Sequence, residues 1–423
     1  MIDPGLRGFT GGDVPSESIY NQCIRCGLCL PSCPTYLETL TETSGPRGRI
    51  SLIKAVGEGQ LDLLSPGFVH QMSECLDCRA CEAVCPSGVH YGQLVETART
   101  QIRRAQEPRS AAFLYFFRNL AAMRFAASLL RVYQRSGLQA LVRASGILRL
   151  LKLRDAEAMA PQISSSFFLA DDRKVMTAGS SLTAFMHAGC IMSVAFAETN
   201  RATVRMLQRA GCTVVVPSGQ GCCGAITVHA GEMEQGRSLA KRNIEAFEKS
   251  GADVYVINAA GCGSALKEYG EIFAADAAWG PRANAFSAKV RDITELLDEL
   301  GIPKPARAVD QTVTYQEPCH LAHAQRISGA PRRLLARVPG LRLIEMQESS
   351  LCCGSAGIYN LTQPVMAARL QARKIANVLA TGAQTVVTAN PGCELQLRAG
   401  LRASGSKVQV KHIVDLLDEA YGD

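Results

Sequence analysis

The chain has 423 residues, of which 47% are apolar and 20% charged, with 37 Gly, 18 Pro and a formal net charge of +7. This composition suits two or three folded domains and excludes disorder and collagen. No uncharged apolar run reaches the roughly 18 residues that a bilayer span needs.

The start, Met1-Ile2-Asp3-Pro4-Gly5, lacks the basic-then-apolar layout of an export signal. The 17 Cys therefore read as metal ligands or redox groups of a reducing compartment, not as a disulfide framework. Cys23, Cys26, Cys29 and Cys33, followed by Pro34, spell C-x2-C-x2-C-x3-C-P, and Cys75, Cys78, Cys81, Cys85 and Pro86 repeat it. Two-residue gaps on a tight turn let three sulfurs reach three irons of a cubane [4Fe–4S] cluster. The fourth ligand in paired-cluster ferredoxins comes from the other run. Cluster I is thus expected on Cys23, Cys26, Cys29 and Cys85, and cluster II on Cys75, Cys78, Cys81 and Cys33. Two structural zinc knuckles are the alternative, since four thiolates also suit tetrahedral zinc.

Residues 34–74, between the runs, read as mostly helical. Within them Gly45-Pro46-Arg47-Gly48-Arg49 is either a surface turn with two solvated arginines or a source of positive charge beside a cluster. Residues 99–154 follow with twelve Arg or Lys (Arg99, Arg103, Arg104, Arg109, Arg118, Arg124, Arg131, Arg135, Arg143, Arg149, Lys152, Arg154) and one acid, Glu107. Apolar stretches such as Ala111–Phe117 and Leu129-Leu130 interrupt them. The pattern is that of a basic amphipathic helix, either packed on the protein as a linker or laid on a membrane through its arginines and Phe113, Leu114, Phe116 and Phe117. No nucleic-acid recognition motif accompanies the charge.

The C-terminal half of the chain is a tandem duplication. Cys190, Cys222-Cys223-Gly224 and Cys262 are repeated as Cys319, Cys352-Cys353-Gly354 and Cys393, displaced by 129, 130 and 131 residues. Ile293–Glu299 is echoed by Ile413–Glu419. Each copy alternates strands and helices. Leu182–His187, Thr213–Val216 and Asp253–Asn258 are expected strands, and Val194–Ala210 and Glu232–Lys249 expected helices. In the second copy Thr312–Tyr315, Leu341–Ile344 and Gln384–Thr388 are strands and Pro364–Ala380 a helix. Such alternation gives a small parallel sheet in each lobe, with every quartet cysteine just past a strand end, where open parallel sheets bind ligands. The two quartets are candidate metal sites (Cys190, Cys222, Cys223, Cys262; Cys319, Cys352, Cys353, Cys393). Cys212 is left over as a small core residue. Gly219-Gln220-Gly221-Cys222-Cys223-Gly224 matches a dinucleotide fingerprint but lacks the second strand and acidic residue that one needs. His229 and His320 are read as satisfied loop histidines in preference to ligands.

Taken together, these motifs resemble the family of iron–sulfur subunits of bacterial glycolate oxidases. The likeness extends to Cys33-Pro34-Thr35-Tyr36, Gly45–Ile50, Cys85-Pro86-Ser87-Gly88-Val89 and Cys352-Cys353-Gly354-Ser355-Ala356-Gly357. It implies an electron-transfer subunit with no catalytic residues of its own, partnered by flavin-binding subunits that oxidise a 2-hydroxy acid, and passing electrons towards quinone. Heterodisulfide-reductase-type relatives close the Cys-Cys-Gly domain with Cys-x-x-Cys; here Ala265 and Gln396 stand at the second positions, leaving four thiols per lobe. The competing readings are a stand-alone disulfide or quinone reductase and a zinc-stabilised interaction scaffold.

The expected architecture is α+β and multidomain. An α-helical two-cluster ferredoxin domain (1–98) and a basic helical linker (99–172) precede two duplicated α/β lobes with small parallel sheets (173–305 and 306–423). The expected cofactors are two [4Fe–4S] clusters, with one or two further iron–sulfur clusters in the lobes. The expected location is the cytoplasm, against the inner face of the membrane.

Overall fold

A computed structural model describes residues 6–106, 112–151 and 157–422. Met1–Gly5, Glu107, Arg109, Ala111, Lys152 and Arg154, and the side chain of Phe113, lie outside what it describes.

The first hundred residues fold as short helices. Pro34–Thr39, Pro46–Gly57 and Pro66–Glu74 each start on a proline, whose fixed φ and missing N–H suit the first helical position. Ala80–Ala83 and Tyr91–Ala105 follow. Ile53, Phe68, Met72, Leu94, Val95 and Ala98 form their core. The helix Tyr91–Ala105 runs straight across residue 98, so the first region and the basic segment share one rod.

The basic segment is not one helix. It is broken into Ala112–Arg118, Leu120–Arg135, Leu138–Ala144 and Ile147–Leu150. Asn119 caps the second piece by accepting from the N–H groups of Ala121 and Ala122. Leu114, Phe117, Met123 and Ala127 are buried against the first lobe, so Leu114 and Phe117 are core residues and unavailable to a membrane. Phe116 remains exposed, together with Phe125, Leu129, Val132, Leu141 and Leu150.

The lobes are built on two sheets. Strands β1 (Arg173–Val175), β2 (Leu182–Met186), β3 (Cys212–Val216), β4 (Val254–Ile257) and β5 (Val290–Asp292) lie in the order β1-β3-β2-β4-β5. All neighbours are parallel except β1, which pairs antiparallel with β3. Strands β6 (Thr312–Tyr315), β7 (Arg342–Leu343), β8 (Thr385–Thr388) and β9 (Gln409–His412) form an all-parallel sheet in the order β7-β6-β8-β9. Removing β1 makes the two orders identical, which is the duplication seen in three dimensions. Strands β4, β6 and β8 are rich in β-branched residues, and β2 carries Ala184, Phe185 and Met186 into the core, as strands covered by helices on either side require. Ala184, Val256, Val313, Tyr315, Val387 and Ile413 belong to one hydrophobic core shared by both lobes.

The expected helix Val194–Ala210 is two, Ile191–Ala195 and Ala197–Arg209. The chain arriving from the linker explains the break: Ser164 N–H donates to Val194 O, and Ser164 Oγ accepts from Ala197 N–H at 3.2 Å. The echo Ile293–Glu299/Ile413–Glu419 is the helix leaving the last strand of each sheet, capped by Asp292 in one lobe and by His412 Nδ1 in the other.

Candidate metal centres

All seventeen cysteines are free of disulfides. In the N-terminal region Cys23, Cys26 and Cys29 line a cavity together with Cys85, Cys81, Arg47 and Tyr91. Cys33 lies within electrostatic reach of Cys78 and Cys81, as does Cys75, and also of Cys29. The cavity thus brings Cys85 and Cys81 of the second run beside three cysteines of the first. Backbone and hydroxyl donors point at the sulfurs: Asp77 N–H to Cys75 Sγ at 3.4 Å, Tyr91 Oη–H to Cys75 Sγ at 3.5 Å, and Val89 N–H to Cys85 Sγ at 3.5 Å. Burial pushes Cys29 up to about 11 and raises Cys78 and Cys81 further. Without metal these thiols hold their protons, and loading must displace them.

The two arginines of Gly45–Arg49 diverge. Arg47 stays at the surface, paired with Glu42 and donating to Arg25 O at 3.0 Å. Arg49 is only 1% exposed and donates to Gln71 O, Thr35 Oγ1 and Glu74 Oε2. Its guanidinium lies near Cys33 and Cys75.

In each lobe the Cys-Cys-Gly turn comes after β3 or β7, and the remaining two cysteines follow the central strands, β2 and β4 or β6 and β8. Cys222 Sγ is 3.7 Å from Cys190 Sγ, and Cys223 bridges Cys222 to Cys262. In lobe 2 Cys352 meets Cys319 and Cys353, and Cys353 meets Cys393. Gly224 and Gly354 close these turns at φ +84° and +86°, a conformation that a side chain resists. Cys212 is buried in the shared core, away from both quartets, and burial pushes it up to about 11.

The family described as cysteine-rich domain matches residues 184–267 and 313–398. The 4Fe-4S dicluster domain matches residues 19–89, and the glycolate oxidase iron–sulfur subunit linker region matches residues 108–160. The probable glycolate oxidase iron–sulfur subunit of Bacillus subtilis (strain 168) is 44% identical over 95% of this chain and 94% of its own length. The glycolate oxidase iron–sulfur subunit of Escherichia coli (strain K12) is 34% identical over 96% of this chain and 95% of its own. The chain belongs to the family of glycolate oxidase iron–sulfur subunits.

The donor sets fit that membership. Four all-sulfur groups converge from separated loops, and soft thiolates select iron–sulfur clusters or zinc over hard cations. The dicluster domain implies two [4Fe–4S] clusters.

Between these centres the structure holds a charged network that no sequence motif announced. Asp77 and Arg79, inside the second cysteine turn at φ +53° and +62°, are buried where the turn meets lobe 1. Arg79 pairs with Asp77 at 2.9 Å, Glu96 at 3.1 Å, Glu82 at 3.2 Å and Glu268 at 3.5 Å. His229 Nδ1 lies 3.0 Å from Asp77 and 2.9 Å from Glu96. His320 Nε2 donates to Asp77 O at 2.8 Å. Both histidines are thus occupied by the ferredoxin region. Two opposite charges inside a cysteine turn were the available signal; the first turn carries only Arg25.

Proposed function

We propose that this chain is the electron-carrying subunit of a glycolate-oxidase-type complex, relaying electrons from flavin-binding subunits towards a membrane quinone. In this reading cluster I uses Cys23, Cys26, Cys29 and Cys85, and cluster II uses Cys75, Cys78, Cys81 and Cys33. The lobe quartets, Cys190, Cys222, Cys223 and Cys262 and then Cys319, Cys352, Cys353 and Cys393, hold further iron–sulfur groups. The observation that supports the reading is the cavity in which Cys85 of the second run lies with Cys23, Cys26 and Cys29 of the first, a meeting that two independent zinc knuckles would not need. When bound, such clusters supply one-electron carriers whose potentials respond to hydrogen bonds and nearby charge. The donors on Cys75 and Cys85 and the buried guanidinium of Arg49 are this chain's contribution to that tuning. The four units proposed are the ferredoxin region (1–98), the linker (99–172) and the lobes (173–305 and 306–423).

The exposed arginines and apolar residues of the linker favour a second element of the proposal, a peripheral seat on the cytoplasmic face of the membrane. Among the described residues no helix is long and apolar enough to cross one.

The test is metal and acid-labile sulfide per chain after anaerobic purification. More iron and sulfide than two cubane clusters hold, with flavin-containing subunits co-purifying from the native host, is expected. Zinc in place of iron would return the chain to the scaffold reading.

A further inference from the structure

The duplicated lobes are alike in topology but differ in charge around their thiols. The register of the helix behind each Cys-Cys-Gly turn can be fixed from the turn itself. A Cβ on Gly224 would meet Gly236 and Leu239 of the helix Met233–Ser250. A Cβ on Gly354 would meet Ala367 and Leu370 of the helix Pro364–Ala380. Both pairs are displaced by 131 residues, so Asn243 of lobe 1 corresponds to Lys374 of lobe 2.

The two residues do the same structural work with different charge. Asn243 accepts from Gly221 N–H at 2.8 Å and donates to Cys222 O at 2.9 Å. Lys374 Nζ donates to Glu348 O and to Ser349 O, the loop that leads into Cys352. Lys374 is 1% exposed; burial pulls its ammonium below the usual lysine range, and Cys353, Cys352 and Cys393 pull it back up. The cysteines of lobe 1 are acted on chiefly by one another. A buried ammonium is costly unless something nearby repays its desolvation. Neutral Asn243 shows that the loop alone does not require one.

Lobe 2 is also the lobe that touches the ferredoxin region through thiols. Leu76, Cys78 and Ala80 share an apolar cluster with Cys352, Tyr359, Met366 and Leu370, with Cys319 packed against it. Tyr359 Oη–H donates to Glu74 O at 2.8 Å. Both lobes also meet this region through charges, lobe 2 through Arg369 and Arg373 on Glu38 and lobe 1 through His229 on Asp77 and Glu232 on Arg103.

We infer that Lys374 is a charge-tuning residue, whose buried ammonium beside Cys352, Cys353 and Cys393 raises the reduction potential of the lobe 2 centre above that of lobe 1. This rests on the reading that the lobes carry iron–sulfur groups. Positive charge favours the more negative, reduced form, and with little water between them the effect is weakly screened. It makes lobe 2, next to Cys78, the stronger electron acceptor of the two.

The experiment is a potentiometric titration of the full chain, followed by paramagnetic resonance, with iron counted in every variant. Loss of a signal in Cys352→Ser assigns the lobe 2 centre. In Lys374→Gln, which keeps a donor for the loop but no charge, the assigned potential should shift downward at full iron content. Lys374→Arg should retain the wild-type value, and the other centres should not move. An unchanged potential in Lys374→Gln at full iron content overturns the inference. So does loss of lobe 2 iron in both the Gln and the Arg variants, which would make Lys374 purely structural. If Cys352→Ser alters neither iron content nor spectrum, the failure lies in the occupancy of the lobe and not in the role of Lys374.

Discussion

His229 of lobe 1 places Nδ1 3.0 Å from Oδ2 of Asp77, a residue lying inside the second cysteine turn. Burial works against a charge on this imidazole, but hydrogen bonds to Asp77 and Glu96 outweigh it and hold His229 up at about 10. The folded chain therefore keeps a proton that the unfolded chain releases near 6.5. The stabilisation is fully present below about pH 6.5 and is lost as pH rises through about 10. His229→Gln should melt below the wild type at pH 7, and the gap should close by pH 10. A gap that stays constant from pH 7 to 10 would mean that the imidazole serves by shape alone.

The two Cys-Cys-Gly turns should not tolerate alanine equally. Both glycines have positive φ, which costs an L-residue about 1–2 kcal/mol. A Cβ on Gly354 would also sit 2.7 Å from Ala367 O, whereas the nearest atom to a Cβ on Gly224 is 3.5 Å away. Gly354→Ala should thus lower the thermal midpoint more than Gly224→Ala, and it should lose lobe 2 iron first. Equal effects would mean that backbone strain alone decides.

Much of this was legible in the residues. The runs of cysteines, their offsets of 129 to 131 and the β-branched strands announced the lobes, because parallel strands buried on both faces leave a continuous apolar signature. The helix Pro364–Ala380 begins on a proline and was readable to the residue. What was not legible depended on contacts far apart in sequence. The antiparallel β1 has only three residues, two of them exposed. The break at Phe196 is made by Ser164, and Arg79 finds one of its carboxylates, Glu268, on lobe 1. The basic segment showed its amphipathic character but not which face is covered, since that depends on where Leu114 and Phe117 meet lobe 1.

The proposed exchange of ligands between the two ferredoxin turns has a direct genetic test. Cys85 shares a cavity with Cys23, Cys26, Cys29 and Cys81, and Cys33 is within electrostatic reach of Cys78, Cys81 and Cys29. Cys85→Ser should therefore alter the same paramagnetic signal as Cys26→Ser, and Cys33→Ser the same signal as Cys78→Ser. If Cys85→Ser instead matched Cys78→Ser, each run would bind its own cluster.

The linker offers a last test, of the membrane seat. Its buried stripe is spent on lobe 1, and its opposite side exposes Phe125, Leu129, Val132, Leu141 and Leu150 beside Arg135, Arg143 and Arg149. Arg131 is already engaged, donating to Ser165 O at 2.8 Å and lying over the Phe167 ring, and Arg143 is paired with Glu157. Arg135 and Arg149 are thus the better cations for a lipid surface. Anionic headgroups attract each such residue by about 1 kcal/mol within a Debye length, so two arginines alone bind weakly and reversibly. Insertion of Phe125 and Leu129 into the interface adds apolar burial that salt does not screen. The assembled complex should sediment with anionic vesicles and less with neutral ones. Replacing Arg135 and Arg149 with Gln should weaken that preference, and Phe125→Ser with Leu129→Ser should weaken binding to both kinds of vesicle. Equal sedimentation with both, unaffected by either pair of changes, would leave this face for a protein partner.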